Sequence, residues 1–340
     1  MLLLIDLPVA ATVAIFLAAA ALVTFAGTRL SPVADELADH TGLGEVVAGA
    51  LFVGISTSLP GILTSVLTAA ADYPSLSIGN ALGSLTAQTM FLAIADMAYR
   101  RANLEHAAAT VTGLAQGVLF MALLCVPLFA ASFPLPVLGI DVATLVMIGG
   151  YALGLRLLTG IKKEPMWVPV ETSETAEEES EPDESGSSAK ECWKRFFLYS
   201  GLTAAGGYFI AVSGVALVRQ SGMSETAVGT IFTGVATSLP ELVTAVMAVR
   251  IGAVSLAVGD VLGGNAFDVL FLGVADLFYG GSIYAEFSAQ DRSTALIAQT
   301  MTGIIILGML RRERNGPGGI GFESVIVLGL YAVSVAVVAF

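Results

Sequence analysis

The sequence predicts an all-α polytopic membrane protein, with about ten transmembrane helices set as two inverted five-helix repeats. Three observations predict it: an apolar composition, a five–gap–five order of apolar segments, and a repeat at one fixed offset. Of 340 residues, 56% are hydrophobic and 13% are charged, whereas soluble domains carry about 25% charged residues. Mean hydropathy is +0.83. A soluble core cannot hide this much apolar surface, so most of the chain is expected in the lipid bilayer.

A spanning helix needs about 20 predominantly apolar residues. Such segments lie near 9–28, 43–70, 75–99, 108–131 and 137–159, then near 196–218, 224–249, 253–279, 293–310 and 321–340. The expected organisation is a first repeat over 1–160, a linker over 161–195 and a second repeat over 196–340. Most of the acid behind the net charge of −13 lies between Glu171 and Glu184, with Ser185-Gly186-Ser187-Ser188 after it. That composition cannot bury apolar area and reads as a solvated, disordered linker. It contains no Asp-x-Asp-x-Asp-Gly loop that would sense Ca2+. The apolar N-terminus has no basic region before it and reads as a retained first helix.

Thirteen of the 15 Lys and Arg residues fall on one side of this arrangement, and only Arg219 and Arg292 fall on the other. Cytoplasmic loops are enriched in Lys and Arg. The expectation is an integral protein of the cell membrane with both termini outside and the linker cytoplasmic.

The chain matches itself at an offset of 180 residues. Gly54-Ile-Ser-Thr-Ser-Leu-Pro60 pairs with Gly234-Val-Ala-Thr-Ser-Leu-Pro240, Gly79-Asn-Ala-Leu-Gly83 with Gly259-Asp-Val-Leu-Gly263, and Phe91-Leu-Ala-Ile-Ala-Asp96 with Phe271-Leu-Gly-Val-Ala-Asp276. Five helices per half invert the second half relative to the first. Inverted repeats place substrate near the midplane, on interrupted helices. Pro60 and Pro240 each follow Thr-Ser within an apolar helix. Proline removes a donor and frees a carbonyl one turn earlier, and freed groups persist in lipid only where protein or a cavity satisfies them. Carbonyls and hydroxyls together suit hard cations. A packed kink accounts for either proline alone; two at one repeat position, one beside an acid, favour ion binding.

Glu241 follows Pro240, Asp268 lies mid-helix, and Asp260 lies two turns before it, closer to a helix start that tolerates an anion. Acids at membrane depth are costly and functional by default; pairing with Ser, Thr or Asn neighbours is the plainer account. No Lys or Arg lies inside the second and third helices of either half away from their ends, so a bound cation is the natural partner. Carboxylate, hydroxyl, amide and carbonyl ligands favour Ca2+ or Na+ over transition metals.

These paired segments resemble the α-repeats of the cation/Ca2+ exchanger superfamily, above all its Na+/Ca2+ exchangers. The resemblance covers about a quarter of the chain. It implies alternating access, driven by ion gradients, around a midplane site on the second and third helices of each half. Carried onto this sequence, it implies cation ligands at Glu241, Asp268, Thr237, Ser238 and the Gly234 carbonyl. In the first half it implies Gly54, Thr57, Ser58, Ser84 and Gln88, with Asn80, Asp260 and Asn265 as accessory positions. Gly61 departs from the pattern, which has an acid there; Gly264 replaces a serine, and Gln88 an Asn or Asp. Two central carboxylates balance one Ca2+ or two Na+, and a third Na+ would leave a costly net charge. Two-for-one exchange without net charge movement is therefore expected, and Gly61→Glu should strengthen Ca2+ binding if the pocket has room.

The leading expectation is a Ca2+/Na+ antiporter. An antiporter using H+ or another cation, and a non-transporting sensor or scaffold derived from an exchanger, are the alternatives. Enzyme activity, cofactors, nucleotides and nucleic acid are not expected: the sequence has no His cluster, no Gly-x-Ser-x-Gly and no Gly-Lys-Ser/Thr loop. Cys125 and Cys192 suggest neither a disulfide nor a metal site, and His40 and His106 fall in predicted loops. Asp96 and Asp276 end their helices beside Tyr99 and Tyr279. Interface anchoring is the expected role, an ion vestibule the alternative.

Overall fold

Lipid offers backbone groups no hydrogen-bond partner, so apolar segments close their own bonds as helices. A computed structural model describes residues 7–41, 54–99, 101–173, 188–316 and 320–340. The first half contributes α1 (Val9–Thr41), α2 (Ile55–Ala70), α3 (Pro74–Ala98), α4 (Val111–Ala130) and α5 (Val142–Lys163). The second contributes α6 (Ala189–Ser221), α7 (Glu225–Thr237 and Leu239–Ile251), α8 (Val254–Tyr279), α9 (Ala289–Arg311) and α10 (Phe322–Ala339). Among the described residues, eight helices are long and apolar enough to cross a bilayer, and the bent pair of α7 makes a ninth. The remaining helix, α2, is apolar and shorter, at 16 residues. This is an integral membrane protein.

Three boundaries differ from expectation. α1 continues through Pro32 to Thr41 and places His40 in a helix instead of a loop. α6 begins at Ala189, inside the expected linker, where Arg195 pairs with Glu191 one turn back at 3.5 Å and Trp193 stacks on Phe197 at 5.4 Å. The acidic run over 174–187 and the start of the second expected helix, 43–53, lie outside the described residues.

The 180-residue offset extends beyond the segments where sequence reveals it. A Cβ on Gly27 of α1 would stand 2.7 Å from Pro240 Cγ, and one on Gly207 of α6 would stand 2.8 Å from Pro60 Cα. Both pairs are repeat mates, so the first helix of each half lies against the proline of the other. Asp96 and Asp276 obey the same exchange. Asp96 accepts from Leu104 N at 2.8 Å, Gly321 N at 3.0 Å and Ser324 Oγ at 2.7 Å. Asp276 accepts from Ile283 N at 2.9 Å, Asp141 N at 2.8 Å and Thr144 Oγ1 at 2.8 Å. Gly321 and Ser324 are the repeat mates of Asp141 and Thr144. Each aspartate caps the last helix of the opposite half, where the first N–H groups lack helical partners. Both are fully buried, so the expected interface anchoring gives way to a clamp between halves.

α3 runs through the middle, packed by α2 and by α7 through α10. From Leu76 to Thr89 every residue is buried. It meets the first segment of α7 almost backbone to backbone: a Cβ on Gly83 would stand 2.5 Å from Thr230 Cα. Small residues permit such approach in membranes, where packing replaces hydrophobic driving force.

The expected orientation assigns the linker end to the cytoplasm. Cys192 is buried and so cannot report the side it faces. Phe133, between α4 and α5, and Met166, after α5, are exposed at opposite ends. In a cysteine-free background, an impermeant thiol reagent on intact cells should label Phe133→Cys and spare Met166→Cys. The opposite pattern would invert the orientation.

Candidate cation site

The two helices carrying Glu241 and Asp268 are irregular where the acids sit. α7 contains a π-helical stretch, Val228–Thr233, and bends by 45° at Ser238. Such bulges concentrate at functional sites. Pro240 falls in the first turn of the new segment, where a missing N–H breaks no helical bond. Glu241 shares that first turn, whose dipole favours an anion. α8 is irregular at Val269, immediately after Asp268. In the first half, α2 passes through Pro60 without interruption and α3 is continuous. Sequence symmetry predicted a break at both prolines; among the described residues, the helix breaks beside the proline only in the half that holds the acids, and the mates of the π-helical stretch, 48–53, lie outside them.

At the centre, Asp268 and its repeat mate Gln88 are bonded to each other. Gln88 Nε2 donates to Asp268 Oδ2 at 2.6 Å, and Ser58 Oγ donates to Asp268 Oδ1 at 2.5 Å. The mate of Ser58, Ser238, accepts from Gln88 Nε2 at 3.4 Å. These crossed contacts put the site on the pseudo-two-fold axis, with both halves in it. All four residues are nearly inaccessible.

The side chains left unsatisfied on these helices carry a consistent chemistry. Besides the Thr230 hydroxyl of α7, which can donate or accept, Asn80 Oδ1, Gln88 Oε1, Glu241 Oε2 and Asn265 Oδ1 are buried without hydrogen-bond partners. All four are acceptors. An unpaired buried polar group costs about 1–3 kcal/mol, and a charged side chain at the bilayer centre about 2.5–3.5 kcal/mol or more. Two donors on Asp268 offset part of this; a bound cation would offset the rest. Among the described residues, no three His, Cys, Asp or Glu are placed to hold a metal. A cation held here would combine carboxylates with neutral oxygens, a donor set that suits Ca2+ and Na+.

Other expected residues occupy distinct places. Asn80 Nδ2 donates to Gly61 O at 3.2 Å and Ser65 Oγ at 2.9 Å, tying α3 to α2. Asn265 Nδ2 donates to Thr89 Oγ1 at 2.9 Å. Ser84 bonds its own helix at Ala81 O. Thr57 donates to Gly54 O at 3.3 Å, and its mate Thr237 to Gly234 O at 3.2 Å. Gly61 has no room for the acid it lacks: a Cβ there would stand 2.5 Å from the Phe271 ring, and Phe271 is buried. The expected gain from Gly61→Glu is withdrawn, because the added side chain must displace that ring.

A cavity of about 330 Å3 reaches this centre, with Gly54, Thr57, Ser58, Gln88 and Glu241 on its inner wall and Thr110, Lys162 and Ser255 toward its rim. The rim residues lie at the linker end of α4, α5 and α8. Asp260 also lines the cavity and is exposed, which makes it a vestibule residue and not a third central acid. At the opposite end Leu76, Val215 and Val228 pack together, and Arg219 lies over the Tyr73 ring and donates to its hydroxyl. The centre is thus open toward the linker end and shut at the other. Gln116 and Tyr151 also line the cavity; sequence reasoning missed them. Gln116 was detectable as a lone amide in an apolar helix, and Tyr151, packed edge-on against Phe267 at 5.6 Å, carried no signal.

The profile of a family described as Sodium/calcium exchanger protein matches residues 11–160 and 195–340. Sodium/calcium exchanger MaX1 of Methanosarcina acetivorans is 33% identical over 123 residues, 36% of this chain and 35% of its own. Among solved structures, the H+/Ca2+ exchanger CAX superposes with a TM-score of 0.69 at 16% identity, covering 96% of this chain and 82% of its own. The sodium-calcium exchanger NCX_Mj superposes at 0.58 and 19% identity, covering 97% and 99%. At these identities the two structures speak for the fold alone.

Proposed function

Because the chain belongs to the sodium/calcium exchanger protein family, a family of cation antiporters, we propose that it exchanges Ca2+ for Na+ at the centre built on Asp268, Glu241, Ser58, Gln88 and Ser238. The observation that supports this most is the crossed bonding of repeat mates on the pseudo-axis, beside buried atoms that can only accept. Glu241 and Asp268 supply two negative charges. Neutral oxygens outnumber them, which suits Na+; a proton needs only the carboxylates. With Gly61 filled by Phe271 and Asp260 in the vestibule, two carboxylates remain, and two Na+ exchange for one Ca2+.

In this reading the linker-end cavity admits ions from one side. Access from the other requires the Leu76–Val215–Val228 seal and the Tyr73–Arg219 contact to part. The test is 45Ca2+ uptake into proteoliposomes under imposed Na+ or H+ gradients, at clamped membrane potentials. Na+-driven uptake, indifferent to voltage, is expected. H+-driven uptake would replace Na+ by H+ as the coupling ion. Strong voltage dependence would contradict the two-carboxylate count, and absent uptake would favour a sensor.

A further inference from the structure

At the linker end, under the turn joining α3 to α4, two buried glutamates carry carboxylate oxygens without hydrogen-bond partners. Glu105 in that turn is 3% exposed, and Glu323 in the first turn of α10 is 1% exposed. Both oxygens of Glu105 and Oε2 of Glu323 lack hydrogen-bond partners. They converge: the point where a Cβ on Gly321 would stand lies 2.7 Å from Glu323 Oε2 and 3.0 Å from Glu105 Oε2. Glycine at 321 keeps the space between them open.

The charged neighbours are mostly engaged elsewhere, with Arg311 also acting on Glu323. Asp96 on α3 accepts its three bonds from the clamp. Arg312, after α9, donates to the carbonyls of His106 and Val170. Arg311 pairs with Glu313 at 3.3 Å, and His106 Nδ1 donates to Arg312 O at 2.7 Å. The Asn103 amide bonds Glu313 O and Gly316 N.

The duplication provides an internal control. At the matching end of the other half, Ala143 is the mate of Glu323, and Asp141 that of Gly321. Asp141 is fully used, accepting from Leu135 N, Ala143 N and Ser282 Oγ. The clamp works there without an orphaned carboxylate. Glu105 and Glu323 are therefore additions to one half, not requirements of the fold.

We propose that Glu105 and Glu323 form a second divalent-cation site, apart from the transport centre, which takes Ca2+ and ties α10 to the α3–α4 turn. Counting decides between a metal and a shared proton. A shared proton satisfies two oxygens and cancels one charge. Three oxygens stand unsatisfied on two carboxylates. One Ca2+, which takes about 6–8 oxygen ligands, satisfies all three and cancels both charges, with carbonyls and water completing its shell.

Equilibrium 45Ca2+ binding to the purified full chain tests this. The parent should bind two equivalents. Asp268→Asn should keep one, Glu105→Gln with Glu323→Gln should keep the other, and the combination should keep none. The equivalent retained by the glutamine variant shows that it has folded. Equal binding by the parent and that variant overturns the proposal in favour of a proton shared by the pair. Binding that survives Asp268→Asn but is wholly lost in the glutamine variant would sink the transport centre and leave this site standing.

Discussion

Asp268→Asn is expected to remove Ca2+ binding at the centre while leaving the protein folded. Taking one charge from a buried pair of opposite charges costs about 3–5 kcal/mol, and each 1.4 kcal/mol is about tenfold in affinity. A weakening of about 100- to 4,000-fold follows for central Ca2+, with uptake falling in step. Folding should survive because the neighbours can adjust. Ser58 can still donate to the amide oxygen, and Gln88, whose Oε1 is unpartnered, can turn its amide to accept from the new NH2. Without metal the variant should be at least as stable as the parent, because a buried charge has gone. Glu241→Gln should act in the same direction more weakly. Glu241 lines the cavity and is only half-buried, and charge interactions weaken where the effective dielectric is higher. The measurements are 45Ca2+ binding and thermal unfolding with and without Ca2+. Parental affinity at the centre in Asp268→Asn would show that the centre is misplaced.

The repeat, the helix count and the acids were legible in sequence because each depends on residue type and spacing along one segment. Gln88 could be matched to Asp268 by offset alone. That the two bond to each other could not, because the offset says nothing about which mates meet on an axis. Gly61 shows the same limit. Sequence reveals a missing carboxylate; only packing reveals the Phe271 ring in its place. The reciprocal Gly27–Pro240 and Gly207–Pro60 contacts escaped because the residues around each glycine have diverged, Ala26 and Thr28 against Gly206 and Tyr208. The vestibule was harder still. In lipid, a helix can be apolar on every face, so no amphipathic stripe marks which side of α4 or α5 turns toward the cavity.

Asp276→Ala is expected to damage the fold and spare the site. The change leaves Ile283 N, Asp141 N and Thr144 Oγ1 without their common acceptor. At about 1–3 kcal/mol for each unsatisfied group, the loss is a large part of the roughly 5–15 kcal/mol that holds a typical domain together. Thr144 can turn to Tyr284, whose hydroxyl already lies 2.8 Å away, which places the effect toward the lower end. Asp276→Asn keeps one acceptor and turns an NH2 toward a donor, so it should fall between. Asp96→Ala should behave alike, orphaning Leu104 N, Gly321 N and Ser324 Oγ, because the two clamps are repeat mates in exchanged halves. Thermal unfolding in detergent should show a large drop for both alanine variants. Protein that remains folded should bind central Ca2+ with parental affinity, since no partner of either aspartate belongs to that centre. Normal stability with slowed transport would return both residues to the ion-vestibule role, and would mean that the halves are held together by helix packing alone.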